Sequence, residues 1–341
     1  MHNFEGDTAD DVWRQAAQSL LSGDKAKTQG SRDGPTIELL HSNLYVRNPR
    51  ERWAFSRQPG MNPAFAIAEV FWILSGRNDA KFVNFWNPEL PKYAADVGAA
   101  TYHGAYGYRI RKQFGIDQLE RALLALRGKP TSRQVVIQLW DPRSDFPAED
   151  GSEVSKDVPC NICSMLKVRD GRLEWTQVMR SNDIFRGLPH NFVQFTMLQE
   201  ILAGWLEVEV GAYHHVSDSL HVYEKALDEG FGISPQQESV CNTDSVNLPK
   251  DISDGIIINV TDSLEKLSQD DLQVEGFKHI CMTGELPVGY RNLLLIAAAE
   301  SARRRRWPDE MEYAASQCSN PALNMLWKNW KCRWETPSSH C

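Results

Sequence analysis

A cysteine block and a polar block, separated by what reads as a single β-hairpin, constrain this chain more than any other feature. The first block is the Asp-Val-Pro-Cys sequence that ends at Cys160, and the second begins at Arg180, twenty residues later. Between them, residues 164–168 and 173–179 read as strands on either side of an Arg-Asp-Gly turn. Because a hairpin brings the chain back to its start, the two blocks read as one active site around a thiol.

Composition excludes several classes of protein. The 341 residues have room for one large domain, or for one domain with a helical appendage. A net charge of −8 argues against non-specific binding to nucleic acid or anionic membranes. No apolar run reaches a membrane span, the polar N-terminal residues do not resemble a signal peptide, and seven scattered cysteines argue against a disulfide framework. We therefore expect a cytoplasmic protein that binds neither nucleic acid nor membranes.

Hydrophobic periodicity predicts the main elements around the two blocks. An acidic first turn and a terminal glycine predict a helix over residues 8–23, and residues 36–46 read as a pair of strands. Residues 62–76 predict an apolar helix, residues 134–140 a strand, and residues 192–206 a long helix too hydrophobic to lie at the surface.

The composition changes after about residue 230. Stretches rich in Ser, Gln and Asn come first, and residues 293–306 and 311–334 then look helical and either basic or rich in tryptophan. We therefore expect a catalytic domain over residues 1–230 and a C-terminal extension over residues 231–341 that packs on the core.

Together with a third block downstream, these residues resemble the thymidylate synthase superfamily. The matching residues are Pro-Cys160 at a strand start, Arg-Ser-x-Asp-x-x-x-Gly-x-Pro-x-Asn from Arg180 to Asn191, and the pair His221 and Tyr223. The resemblance covers roughly residues 30–230. It implies an α/β (α+β) fold with a large twisted mixed sheet flanked by helices, and a homodimer that joins sheet to sheet and shares its active sites.

The resemblance implies that Cys160 forms a covalent adduct with the base of a pyrimidine nucleoside monophosphate. The ring is not nucleophilic enough at C5 to attack a one-carbon donor, and a thiolate added at C6 makes C5 nucleophilic. The donor that the family implies is 5,10-methylenetetrahydrofolate. A lone free cysteine is more often a buried structural residue, so the assignment depends on the second block. The resemblance also makes Glu69 a proton relay within its apolar helix and places Tyr106 near the thiol.

Phosphate is bound best by bidentate arginine and by hydroxyl groups. By the resemblance, Arg180 and Ser181 bind the phosphate of the nucleotide, together with Arg32 from the loop before the first strand. Arg133 matches an arginine that family dimers lend across the interface. The family usually has two adjacent arginines there, and in this chain the second is Gln134.

Separate residues are assigned to the base, the sugar and the folate. Asn191 matches the amide that reads the pyrimidine edge, and an amide suits N3–H and O4 of uracil. Relatives that act on cytidylate typically carry Asp at this position, so Asn191 favours uridylate without excluding cytidylate. His221 and Tyr223 match a pair that binds the sugar hydroxyl. Asp183 matches the acid that binds the pterin ring, and Trp72 is assigned to the folate as well.

A metal or redox site is a weaker interpretation of the cysteines. The pair Cys160 and Cys163 has no second pair of cysteines or histidines at metal-ligand spacing. His214 and His215 are adjacent, and adjacent residues of a strand point to opposite faces. We therefore expect no metal.

Two reactions share the C5-methylene intermediate that this family makes. A methylase reduces it with hydride from tetrahydrofolate and must exclude water, whereas a hydroxymethylase lets water add. In this chain Asn161 follows Cys160 where synthases usually have His, and the polar blocks look most like the pyrimidine nucleotide hydroxymethylase branch. We favour 5-hydroxymethylation of a uridylate, dUMP or UMP. Thymidylate synthesis from dUMP, hydroxymethylation of dCMP or CMP, and nucleotide binding without turnover, which Gln134 and His190 would support, stay open.

Overall fold

The computed structural model describes residues 1–23, 26–31, 33–94, 98–235, 240–282 and 284–334. The strands are β1 (His2–Gly6), β2 (Lys27–Gln29), β3 (Thr36–Val46), β4 (Arg57–Gln58), β5 (Val136–Gln138), β6 (Asn161–Arg169), β7 (Arg172–Asp183), β8 (Glu209–Tyr223) and β9 (Gly232–Ile233). The helices are α1 (Ala9–Ser22), α2 (Pro63–Leu74), α3 (Ala80–Trp86), α4 (Pro91–Ala94), α5 (Tyr106–Tyr108), α6 (Gln118–Gly128), α7 (Pro142–Asp145), α8 (Leu188–Leu206), α9 (Glu224–Asp228), α10 (Lys250–Ser268), α11 (Val274–Cys281), α12 (Val288–Arg305), α13 (Pro308–Gln317) and α14 (Pro321–Lys331). A π-helical turn, Arg109–Gln113, follows α5.

A seven-stranded mixed sheet forms the centre of the molecule. Its strand order is β1-β3-β8-β7-β6-β5, and β2 adds to β3. The pairs β1–β3 and β7–β8 are parallel, whereas the remaining pairs of this sheet are antiparallel. Helix α1 packs against β1 and β3, and α8 packs against β7 and β8. The predicted α/β fold, with a large mixed sheet flanked by helices, is confirmed.

Two apolar helices lie at the core and carry the polar side chains of the site. Helix α2 begins where Asn62 Oδ1 accepts a hydrogen bond from the backbone N–H of Phe65 at 3.0 Å, with proline at the first helical position. Every residue of α2 except Glu69 is buried. In α8 every residue except His190 and Leu206 is buried. Because polar groups are costly in such surroundings, those that these helices retain need partners.

Helices from the C-terminal part of the chain pack directly on this core. Helices α10 and α12 contact α2, and α14 also reaches α2. A buried carboxylate, that of Glu200 on α8, spans the boundary. Its Oε2 pairs with Arg52, and its Oε1 accepts hydrogen bonds from Ser245 Oγ at 2.9 Å and from the Val246 backbone N–H at 3.1 Å. Burial alone would raise the pKa of Glu200, but the adjacent Arg52 and these hydrogen bonds hold it below its usual value.

Most elements follow the sequence prediction, with two corrections. Residues 36–46 form a single strand rather than a pair, because β3 pairs with β8 along its length and a positive φ of 57° at His41 does not interrupt it. Residues 311–334 form two helices rather than one, because Asn320 caps a new helix that begins at Pro321. Strand β1 and helix α10 were not anticipated.

Candidate active site

The hairpin brings the two sequence blocks together as predicted. Strand β6 begins directly after Cys160, and β7 runs back antiparallel to it, so that the Arg180 backbone N–H donates to the Cys160 carbonyl at 2.9 Å. The guanidinium of Arg180 donates through Nε to the Pro159 carbonyl and through Nη2 to the Val158 carbonyl, each at 3.0 Å. Arg180 therefore fixes the backbone that presents the thiol.

Tyr106 lies beside that thiol, and Glu69 lies beside Tyr106. Burial raises the pKa of the Tyr106 phenol well above its ordinary value, and the neighbouring Cys160 and Glu69 raise it further. Gly107 permits this approach, because a Cβ there would lie 2.5 Å from the Cα atom of Ile73 on α2. Tyr106 is thus a permanently protonated donor next to Cys160.

Glu69 is an uncommon acid in an apolar helix. Burial raises its pKa to about 7, and a hydrogen bond from the Gln194 side chain opposes the rise. Although the residue as a whole is partly accessible, its Oε2 is not, and that oxygen has no hydrogen-bond partner among the described residues. A carboxyl group with this pKa can exchange protons near neutral pH.

Asn191 lies in the first turn of α8, one turn before Gln194. Its Nδ2 donates to Gln194 Oε1 at 2.9 Å. Its Oδ1 is buried and has no partner within the described part of the chain. The amide therefore presents an acceptor without a donor to satisfy it.

The side-chain amide of Asn161, directly after Cys160, is fixed by hydrogen bonds that start from β7. Gln177 on β7 donates from Nε2 to Asn161 Oδ1, while Ser164 Oγ and Trp175 Nε1 donate to Gln177 Oε1 at 2.6 and 3.1 Å. This fixes the Asn161 amide so that Nδ2 is left buried and unpartnered among the described residues. The Asn161 side chain also lies near the Tyr106 hydroxyl, whose pKa it lowers slightly against the larger effects.

Of the residues assigned to the folate, Asp183 ends β7 three residues after Arg180, and Trp72 lies on α2. Asp183 Oδ1 accepts from the backbone N–H groups of Phe185 and Arg186 at 2.7 and 2.6 Å, which leaves Oδ2 buried without a partner in the described residues. Burial, together with the charge of Arg57, lowers the pKa of the neighbouring His190 to about 3, so its imidazole is neutral. Trp72 is buried, and its Nε1 donates to the Asp79 carbonyl at 3.2 Å.

The remaining nucleotide residues are less closely grouped. His221 and Tyr223 end β8 and form an edge-to-face pair with ring centroids 5.3 Å apart, and Ser181 lies in register with Ser219 on β8. Arg133 is exposed just before β5. Arg32 lies outside the described residues.

Two polar residues of the site were missed in the sequence. Burial raises the pKa of Asp157 to about 6, and its Oδ2 accepts from the Gly104 backbone N–H at 2.9 Å. Its charge contributes to the raised pKa of Tyr106. The position of Asp157 three residues before Cys160 was a usable signal, as was the spacing of Gln194 one helical turn after Asn191.

Among the described residues no group of three or more His, Cys, Asp or Glu could hold a metal ion. His214 is half-buried and His215 buried, on opposite faces of β8 as predicted. In the described ranges, no helix has the length and apolar character needed to cross a membrane.

Unpartnered polar atoms are concentrated at this site. The described residues contain ten buried side-chain nitrogen or oxygen atoms without a partner, and five of them belong to Glu69, Asn161, Asp183, His190 and Asn191. Each such atom costs free energy on the order of 1–3 kcal/mol unless a bound molecule or water satisfies it. Several of these residues are linked to Cys160 by sequence or through Tyr106 and Gln194, an arrangement that fits a polar, hydrogen-bonding ligand.

Comparison with known proteins places most of the chain in one family. Residues 23–283 match the family model described as thymidylate synthase. The chain is 36% identical over 203 residues to a deoxyuridylate hydroxymethyltransferase of Pseudomonas phage M6, covering 58% of this chain and 56% of that protein. It is 31% identical over 235 residues to the deoxyuridylate hydroxymethyltransferase of Bacillus phage SP01, covering 65% and 59%.

The chain is also similar to a bacterial protein. The chain is 29% identical over 216 residues to a thymidylate synthase of Clostridium beijerinckii, covering 63% of this chain and 74% of that protein. The match thus spans somewhat more than half of the length of the phage proteins and three quarters of the bacterial one. A family match over most of the chain, with the thiol and the polar residues of β7 and α8 gathered at one site, shows that the chain belongs to the thymidylate synthase family.

Proposed function

We propose that this protein uses 5,10-methylenetetrahydrofolate to hydroxymethylate C5 of a uridylate, dUMP or UMP, through a Cys160 adduct. The observation that carries the proposal is the set of unpartnered polar atoms of Glu69, Asn161 and Asn191, which are linked to the thiol by sequence or through Tyr106 and Gln194. Hydride transfer requires a dry site, whereas water addition benefits from buried groups that can hold a water molecule. The names of the phage relatives, both deoxyuridylate hydroxymethyltransferases, also support hydroxymethylation.

The first half of the reaction depends on the residues that hold Cys160. Arg180 fixes the backbone before the thiol, and Sγ adds to C6 of the uracil ring, which places electron density on C5 and O4. Asn191 Oδ1 accepts from N3–H of the same ring. C5 then forms a bond to the one-carbon unit, which the folate supplies at the oxidation level of formaldehyde. Loss of the C5 proton, with cleavage of the bond between the one-carbon unit and the folate nitrogen, would release tetrahydrofolate and leave an exocyclic methylene on the nucleotide.

The second half is addition of water to that methylene. Glu69, with a pKa of about 7, is partly ionised at neutral pH and takes a proton from the water. As the oxygen bonds to the methylene carbon, the electron pair returns through C5 and C6, and the C6–S bond breaks to release Cys160. Asn161 Nδ2 is a free donor that orients the water. The product is the 5-hydroxymethyl nucleotide, and no hydride is consumed.

The residues at the end of β7 suit the folate. An aminopyrimidine edge presents N–H donors, and the unpartnered Oδ2 of Asp183 is a fixed acceptor for them. Trp72 is also proposed to bind the folate, since it is a buried aromatic residue on the helix that carries Glu69.

A second copy of the chain completes the proposed site. One face of the sheet carries a row of residues paired in register across five strands, namely Tyr45, His214, Thr176, Met165 and Val136. Tyr45 is 38% exposed and Val136 49% exposed, and large apolar side chains left exposed on one face of a sheet suit an interface. Arg133, three residues before Val136, would then reach the phosphate bound by the partner subunit.

Product analysis tests the proposal directly. The purified protein is incubated with 5,10-methylenetetrahydrofolate and, in separate reactions, dUMP, UMP, dCMP or CMP, and the nucleotides are identified by mass spectrometry. We expect a 5-hydroxymethyl uridylate together with tetrahydrofolate. Thymidylate together with an equimolar amount of dihydrofolate would show a methylase instead, and a hydroxymethylated cytidylate would show the other base. Binding without any product would indicate a non-catalytic homologue.

A further inference from the structure

A chain of two amides connects the carboxyl group of Glu69 to the edge of the site where the base is read. Gln194, on α8, lies beside Glu69 on the neighbouring α2, where its amide opposes the rise that burial causes in the pKa of that carboxyl group. At its other end Gln194 Oε1 accepts from Asn191 Nδ2 at 2.9 Å. Asn191 Oδ1 then remains buried and unpartnered among the described residues.

The direction of this chain is set by the carboxylate. An amide has hydrogen-bond donors at one end and an acceptor at the other, so an amide that donates to an anion must direct its oxygen the opposite way. The oxygen of the Gln194 amide therefore points toward Asn191 and accepts a hydrogen bond from the NH₂ group of Asn191. The oxygen of Asn191 is left as the group presented to a bound base.

We propose that Gln194 is a positioning residue that fixes the orientation of the Asn191 amide and thereby the preference for uracil over cytosine. This inference rests on the proposed function, in which Asn191 reads the base. Uracil offers N3–H to the fixed oxygen, whereas cytosine has an unprotonated N3 that needs a donor. If the Asn191 amide flips to direct its NH₂ group at N3 of cytosine, its oxygen faces the oxygen of Gln194, and two acceptors then repel each other. If the Gln194 amide flips as well, its oxygen instead faces the carboxylate of Glu69.

The surroundings of Gln194 favour a fixed amide. The residue is 2% exposed, and Val193, Phe195 and Leu198 near it on α8 are buried and apolar. A reversed Gln194 amide would direct its oxygen at the Glu69 carboxylate, so the protein itself does not compensate the mismatch. A site that hydrogen-bonds one group and leaves the alternative unpaired discriminates by roughly tenfold to a hundredfold or more.

The test compares nucleotide affinities in variants of the full chain. Calorimetry on a Cys160→Ser background gives the ratio of the dissociation constants for dCMP and dUMP without depending on the product. Gln194→Met preserves volume and removes both hydrogen bonds, and it should lower the preference for dUMP at least tenfold. Gln194→Glu keeps an acceptor toward Asn191, and it should keep the preference.

Gln199 provides a matched control on the same helix. It is also a fully buried glutamine, but its Nε2 donates to the Leu173 and Ala212 carbonyls at 2.8 and 3.0 Å, away from the thiol. Gln199→Met should lower the thermal midpoint and leave the ratio unchanged.

Three results would overturn the inference alone: an unchanged ratio in Gln194→Met, an equal change in Gln199→Met, or a lost preference in Gln194→Glu. Because Gln194→Glu retains the polarity, it also decides the question if Gln194→Met does not fold. Failure of the unsubstituted site to bind either nucleotide would overturn the proposed function together with this inference.

Discussion

The guanidinium of Arg180 is hydrogen-bonded to the main-chain carbonyl of Pro159, the residue directly before the proposed nucleophile, with 3.0 Å between Nε and the oxygen. A second bond, from Nη2, holds the Val158 carbonyl at 3.0 Å. A guanidinium has five N–H donors, so Nη1 stays available for a phosphate while the other nitrogens hold the chain. One arginine can therefore bind the substrate and position the thiol at the same time.

Arg180→Lys separates these two roles. The lysine ammonium keeps a positive charge for the phosphate but cannot reproduce the planar fork that spans two carbonyls. We expect steady-state kinetics to show a kcat at least tenfold lower and a higher KM for the nucleotide. Arg172→Lys, at the exposed start of the same strand, is the control and should change neither. A rise in KM with kcat unchanged would limit Arg180 to phosphate binding.

Cys160→Ala should abolish both product formation and the release of tritium from dUMP labelled at C5. The change removes the nucleophile but little volume, so the unfolding midpoint should stay close to that of the unsubstituted protein. Cys163→Ala, on the same strand and half-buried, is the matched control and should retain turnover. Activity in Cys160→Ala would end the covalent mechanism, and equal losses in both variants would reassign the nucleophile.

Glu69 should make the folded state less stable as the pH rises. Burial raises its pKa from 4.5 to about 7 in the folded state, so the folded protein binds this proton more tightly than the unfolded chain. The free energy of unfolding must then fall between about pH 4.5 and pH 7, by roughly 3 kcal/mol for a difference of this size.

The Glu69→Gln variant removes that pH dependence. Relative to the unsubstituted protein, it should gain stability between pH 4 and pH 8 in urea titrations, and it should lose turnover. Glu149→Gln, which changes an exposed acid, should show neither effect. A stability difference between Glu69→Gln and the unsubstituted protein that is constant across this range would show that Glu69 is not a buried acid with a raised pKa.

Asn191→Asp should move the preference from uridylate toward cytidylate. A protonated Asp can donate to N3 of cytosine, whereas an ionised Asp opposes O4 of uracil with a like partial charge. Mispairing of this kind costs on the order of 1–3 kcal/mol, or about tenfold to a hundredfold in the ratio of kcat/KM values for dUMP and dCMP. If the unsubstituted protein already prefers dCMP, the base is read by other groups, such as His190.

Arg133→Ala and Cys160→Ala should each be inactive alone and recover activity when mixed. If Arg133 serves the partner's site, a mixed dimer has one site with both residues intact. A mixture of Glu69→Gln with Cys160→Ala is the control, since both residues belong to one subunit's site and no complete site can form. Absence of recovery, with subunit exchange verified by mass spectrometry, would remove Arg133 from the shared site.

Sequence alone predicted the parts of this site that depend on local order. Cys160 and Arg180 are separated by a hairpin with Asp170 and Gly171 at positive φ, so their proximity follows from a short segment. The link from Gln194 to Glu69 depends instead on how α2 packs against α8, and no local pattern encodes that contact. Asp157 was missed for a related reason, because its pKa depends on burial beneath the backbone of Gly104.

Glu200 connects the parts of the chain on the two sides of the boundary expected near residue 230. This fully buried carboxylate forms an ion pair with Arg52 from the first part of the chain and accepts hydrogen bonds from Ser245 and Val246 of the second part. Loss of either set would leave a charge in the core without its full complement of donors, which typically costs several kcal/mol. The two parts are therefore expected to unfold in a single cooperative transition, although the composition of the chain changes abruptly between them.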